Sequence, residues 1–169
     1  MTVNLVVALL AVTFLIGTLV GHSVHWAMHQ RWSGPFYRSH MTHHLEKYPR
    51  WDLLSKGSYR SSGLDSGWFA FTPPIAMFVV GVLFLLRYIG VPVGLQAVVA
   101  AEYGVIGFLH GYVHDAFHIE GHWLERSRWF RRLRDLHAFH HRAMRTNLGI
   151  FWFGWDRAFG TFKSVKTPK

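Results

Sequence analysis

Apolar residues in this chain form long uninterrupted blocks, not the short alternations of a half-buried sheet. Charge is absent from Met1 to Gln30 and again from Ser66 to Leu86. About 20 helical residues cross roughly 30 Å of hydrocarbon. The blocks therefore predict membrane spans at about 3–20 and 68–86, with a third at about 91–109. The first span is expected to continue as helix through His22, His25 and His29 to about Gln30, until Ser33-Gly34-Pro35 breaks it. Phe36 to Lys47 reads as a short helix ended by Tyr48-Pro49. In Trp51 to Gly67, Trp and Tyr mix with Lys and Arg, which suits the headgroup zone.

Pro73-Pro74 falls near the start of span two; proline is tolerated in a first helical turn and can kink a span otherwise. Arg87 to Pro92 is a tight turn. His110 to Trp123 carries span three out of the membrane, and Leu124 to His141 is helical in pattern and rich in arginine. Asn147 to Phe162 reads as a loop dense in glycine and aromatics, and Lys163 to Lys169 as a loose tail. The expected fold is an all-α membrane protein of one domain, 1–169, with about three transmembrane helices. A cytoplasmic helical cap from about 22–66 and 110–162 holds the polar chemistry. Glu102, alone among ionisable groups at its depth, should face protein and not lipid.

Charge changes the picture by giving the chain a direction. The formal net charge is +9, and of 18 Lys and Arg only Arg87 sits at the turn between spans two and three. The positive-inside rule then places the histidine-bearing side in the cytoplasm and the N-terminus outside. Basic residues so distributed meet anionic headgroups, and the apolar spans argue against nucleic-acid binding. The N-terminal run lacks a basic leader and a small-residue cleavage site, so it reads as an uncleaved span. Cysteine is absent, which excludes disulfides and thiolate metal sites.

Thirteen histidines remain to be explained. Ten fall into four clusters: His25 and His29; His40, His43 and His44; His114 and His118; His137, His140 and His141. Residues three or four apart share a helix face, so HxxxH aims two imidazoles one way and HxxHH aims three. Neutral imidazole binds iron, zinc, copper and nickel, and ten on one membrane face suffice for two metals. The motifs alternate, giving the two halves of the chain a two-fold echo. His110, His114, His118 and His122 form an i+4 ladder whose spacing alone does not choose a ligand pair. Groups that could orient the ligating rings are His22, His110, Glu102, Asp115, Asp135 and Asp156.

The motif order HxxxH, HxxHH, HxxxH, HxxHH resembles the fatty acid hydroxylase superfamily over most of the chain. Asn147-Leu-Gly-Ile and Trp155-Asp156-Arg-Ala-Phe159-Gly160-Thr161 look like its acyl hydroxylase and sterol oxidase branch, and Thr72-Pro73-Pro74 looks like the acyl 2-hydroxylases. The resemblance implies that His114 and His118 are the ladder's ligands. It implies two iron ions held by the ten clustered histidines, with zinc possible in a purified or crystallised sample. It implies dioxygen and a membrane lipid as substrates, a fatty acyl chain first. Electrons would come from a separate donor protein, since no cytochrome-like domain accompanies the motifs. An unactivated C–H bond offers no proton to a base, so a redox metal with dioxygen is the chemistry required.

Trp26, Met28, Phe36, Phe117, Phe139, Phe151 and Trp152 are candidate walls for the chain. Arg126, Arg128, Arg131, Arg132 and Arg134 are candidate contacts for headgroups or the donor. A carotenoid ring hydroxylase or desaturase-like oxidase is the alternative within the superfamily. A membrane metal-binding or transport protein is the alternative outside it, which the scarcity of ionisable groups in the spans disfavours.

Overall fold

The computed structural model describes residues 3–60 and 66–164. Residues 61–65 of the interfacial stretch and 165–169 of the tail lie outside the described residues. Three long helices dominate: α1 (Val3–Met28), α3 (Gly67–Tyr88) and α4 (Val93–Phe117). Each is long and apolar enough to cross a membrane. Between α1 and α3 lies α2 (Pro35–Thr42); after α4 come α5 (Arg128–Arg142) and the single turn α6 (Gly154–Ala158).

Helix α1 has 26 residues and α4 has 25. At 1.5 Å per residue each is roughly 38 Å long, about 8 Å more than the hydrocarbon layer needs. The surplus turns of α1 and α4 carry His25 and His114 to the membrane surface, where α2 and α5 close over them. The outward faces of the spans are bare apolar side chains, Met77 and Phe84 being more than 70% exposed. Water would penalise such a surface, and lipid removes the penalty.

Helices α3 and α4 form the hairpin expected around the Arg87–Pro92 turn, and α1 packs mainly on α4. The first core cluster joins Met28, Phe71, Val113 and Phe117 to Phe130, Leu133 and Leu136 of α5, so cap and spans share one core. Glu102 bonds Thr13 of α1, tying two spans together within the apolar layer. The expectation that it orients a ligating ring gives way to this contact.

Three local features depart from the sequence reading. The helix expected over Phe36–Lys47 divides into α2 and a π-helical turn, His43–Lys47, closed by Tyr48 N–H donating to His43 O at 2.9 Å. Pro73 and Pro74 lie in the second turn of α3, not its first, because Ser66 caps the helix and Gly67 begins it. Proline has no N–H, so the helical bonds from 73 and 74 to carbonyls 69 and 70 are missing. Finally, the described residues of this helical fold include a strand pair, β1 (Ser55–Lys56) parallel to β2 (Ile119–Glu120). Ser55 N–H donates to His118 O at 2.8 Å, folding the loop after the π turn back over the end of α4.

Candidate metal centre

All ten clustered histidines converge in one buried volume between the span ends and the cap. Their ligand atoms sort into groups whose members lie within 4.8 Å of one another: His25, His29, His40, His44 and His140; then His43, His114, His118 and His137. His141 adjoins the second group, with its Nε2 3.1 Å from that of His137 and 3.3 Å from that of His43. It also groups with His43 and His44, so it stands where the two sets meet.

Each HxxHH divides between the sets. Its first and third histidines serve its own half of the chain, and the middle one crosses to the other. Thus His140 of α5 joins His25, His29, His40 and His44, while His43 joins His114, His118, His137 and His141. The two-fold echo in the sequence reappears as corresponding ring pairs in the two sets. In the first set Nε2 atoms lie 3.1 Å apart for His29–His40, 3.1 Å for His40–His44 and 3.2 Å for His44–His140. The matching pairs in the second are His118–His137 at 3.0 Å, His137–His141 at 3.1 Å and His141–His43 at 3.3 Å.

Ring tautomers decide what these spacings mean. His25 Nδ1 donates to Leu148 O at 2.6 Å, His118 Nδ1 to Leu53 O at 2.9 Å, His140 Nδ1 to Thr146 O at 2.8 Å and His141 Nδ1 to Tyr48 O at 2.9 Å. A carbonyl only accepts, so in these four neutral rings the proton is on Nδ1 and Nε2 carries a bare lone pair. Burial, and next the neighbouring imidazoles, lower the pKa of His40, His43, His44, His118, His137, His140 and His141 well below the ordinary value, and that of His29 to about 2. They are neutral at physiological pH. His25 Nε2 and His114 Nε2 are buried without any partner.

In these four rings the Nε2 lone pair is directed among the neighbouring rings, where it can accept a neighbour's N–H or bind a metal ion. Metal–nitrogen bonds of about 2.0–2.1 Å put adjacent donors roughly 3.0 Å apart at right angles and roughly 3.4 Å apart at tetrahedral angles. The observed 3.0–3.3 Å falls between those limits. The donor set fits bound metal.

The remaining histidines occupy other positions. His110 donates from Nδ1 to Ile106 O at 2.8 Å, packs against the ring of Phe71, and fills the space above Gly21, where a Cβ would collide with it. His122 caps the 3-10 turn Trp123–Arg126 and contacts Tyr112. His22 Nε2 lies 3.7 Å from Asp156. Only His114 and His118 of the i+4 ladder enter the clusters.

The carboxylates differ in their reach. Asp115 accepts from Gly67 N–H at 2.7 Å and lies 3.1 Å from His114 Nδ1. Asp156 touches no ligating ring; it accepts from Leu148 N–H and Gly149 N–H, each at 2.8 Å, and from the Thr161 hydroxyl at 2.7 Å. It thereby fixes the backbone whose Leu148 carbonyl holds His25. Burial opposes its ionisation, but the nearby His22 ring and the bonds from Thr161, Gly149 and Leu148 prevail and hold its pKa below the usual value. Asn147, at φ 51°, locks the same loop by bonding Leu136 O and Lys163 on both sides. Asp135 is exposed on α5.

Several contributors carry no sequence signal. Tyr59, expected at the headgroup zone, has its hydroxyl 2.9 Å from His43 Nδ1. Tyr48 stacks on His118 with centroids 4.1 Å apart. Among the candidate walls, Phe117 stacks on His137 and Phe151 meets His110, whereas Trp26 and Phe36 are exposed. Arg134 pairs with Glu125, and Arg128, Arg131 and Arg132 border an open cleft of about 550 Å³ with Asp135.

The sequence pattern of one known family, described as fatty acid hydroxylase, matches residues 10–161. No curated protein matches the chain, and no solved structure does. A match over nearly the whole chain, coinciding with three spans and the clustered histidines, means that this protein belongs to the fatty acid hydroxylase family of membrane oxygenases, which hydroxylate with dioxygen at a histidine-ligated di-iron-type centre.

Proposed function

We propose that the protein hydroxylates a fatty acyl chain of a membrane lipid, with two iron ions as its metals and the ten clustered histidines as their ligands. The observation that carries the ligand assignment is the convergence of Nε2 atoms at 3.0–3.3 Å in two sets, each holding two rings whose Nδ1–H is committed to a backbone carbonyl. Iron, when bound, supplies the redox chemistry that lets dioxygen attack a C–H bond.

The chain's own residues do the rest. The Nδ1 bonds to Leu148, Leu53, Thr146 and Tyr48 fix the tautomer and direction of His25, His118, His140 and His141, so these four donors need no reorganisation. Burial of the rings excludes bulk water, and their neutrality leaves the lone pairs free. Apolar spans beneath the centre favour a hydrocarbon substrate delivered from the bilayer. The exposed arginines of α5 favour a separate, acidic electron-donor protein, because complementary charge speeds encounter. The basic side is taken as cytoplasmic and the N-terminus as external.

The test is metal analysis of the purified protein together with lipid profiling of cells that express it. Iron with a hydroxylated acyl product is expected. Hydroxylated carotenoid with unchanged acyl chains would transfer the substrate assignment to the carotenoid branch, and metal without any oxygenated product would leave a binding protein.

A further inference from the structure

One apolar cavity opens beside the centre at the level where spans meet cap. About 170 Å³ in volume, it is lined by Pro35, Phe36 and Ser39 of α2 and by Phe69, Ala70 and Pro73 of α3. Phe36 and Phe69 are about half exposed, so the cavity opens outward on the apolar side. Ser39 precedes His40, and Ala70 precedes Phe71. The Phe71 ring is wholly buried, with its centroid 5.6 Å from that of His25 and 5.9 Å from that of His114. Those two rings bear the unpartnered Nε2 atoms, one in each set. The missing helical bonds from Pro73 and Pro74 loosen α3 at this same turn.

We infer that a hydrocarbon chain passes from the bilayer between α2 and α3 into this cavity, and that Phe71 is a specificity-determining residue, setting how closely the chain approaches His25 and His114. The inference rests on the reading that the substrate is an acyl lipid. Cavity and centre adjoin one turn of α3, whose residues 69, 70 and 73 line the first and whose residue 71 packs on the second. An acyl chain matches the apolar lining, and its approach needs no passage through water.

The test uses a fatty acid bearing a diazirine near its methyl end, in phosphatidylcholine vesicles holding the metal-loaded protein. Light-induced labelling is expected on the peptides containing Phe36, Ser39 and Phe69. It should be lost in Ala70→Trp with bound metal retained. Ala70→Leu, a milder filling, should reduce it should the tryptophan variant fail to fold. Phe71→Leu should shift preference toward longer or branched chains at unchanged metal content. Labelling confined to outward residues such as Met77 and Phe84, or unaffected by filling at residue 70, overturns the inference. Product analysis of the unaltered protein reads the substrate assignment separately: pocket labelling without hydroxylated acyl product would refute acyl turnover while leaving the route standing.

Discussion

At the scale of single residues, the crossing of His43 and His140 yields the sharpest expectation. His140→Ala should deplete metal from the first set although that set's other members lie in the N-terminal half, and His43→Ala should deplete the second. Oxygen insertion should be abolished in both, and metal content per protein should fall by about half, checked by elemental analysis of purified variants. Full metal and full activity in either variant would refute the assignment. Asp156→Asn should act at a distance: with one carboxylate oxygen replaced by a donor, buried N–H groups lose their acceptor, at a cost of about 1–3 kcal/mol. Melting temperature and first-set metal should fall together, since His25 leans on the same loop. Sequence reading found all ten clustered histidines because i+3 and i+4 spacing is a local property. It missed Tyr59, Leu53, Leu148 and Tyr48 because backbone carbonyls carry no signature and Tyr59 reaches His43 only once the loop folds back.

At the scale of elements, the start of α3 is bound to α4 by contact too close for any side chain. A Cβ at Gly67 would lie 2.5 Å from His114 Nδ1 and 2.8 Å from Asp115. Gly67→Ala should therefore displace His114 and lower second-set metal more than first-set metal, a difference readable by spectroscopy of the bound metals. Helix α5 divides its labour by face: Phe130, Leu133, Leu136, His137, His140 and His141 are buried, and the arginines face out. Replacing Arg128, Arg131 and Arg132 together by glutamate should slow turnover driven by an acidic donor protein and leave metal content unchanged. Loss of bound metal instead would give these arginines a structural role. Three long apolar helices were legible as such, since an apolar helix of that length is stable chiefly in hydrocarbon. The π turn and the β1–β2 pair were not: both are set by how the loop from Tyr48 to Arg60 closes over His118, a tertiary constraint with no periodicity of its own.

At the scale of the whole molecule, packing so many neutral imidazoles together makes the metal-free protein sensitive to acid. His29, His40, His43, His44, His118, His137, His140 and His141 are uncharged when folded, with their pKa pushed down, and take up a proton in the unfolded chain below about pH 6.5. Their contribution is intact above that value and is lost as pH falls toward the lowered folded values, about 2 for His29. Every imidazole neutral in one state and charged in the other contributes about 1.4 kcal/mol per pH unit. The melting temperature of the metal-free protein in detergent should therefore drop steeply between about pH 7 and about pH 5, and bound metal should flatten that dependence. A pH-independent melting curve would contradict the neutrality on which the donor argument stands.

The exchange of one histidine between the halves also has a consequence for how the protein is made. Synthesis runs from the N-terminus, so His25, His29, His40 and His44 exist long before His140 does. Four donors wait for a fifth that emerges only after both later spans and most of α5 have been translated. Neither set can be complete on a nascent chain stalled before that point, so full loading follows membrane insertion and does not accompany it. A truncated product ending in α4 would hold one incomplete set in the first half and, of the clustered histidines, His114 alone in the second. Under the proposed ligand assignment, chain order thus times maturation, and a half-made protein lacks a complete centre.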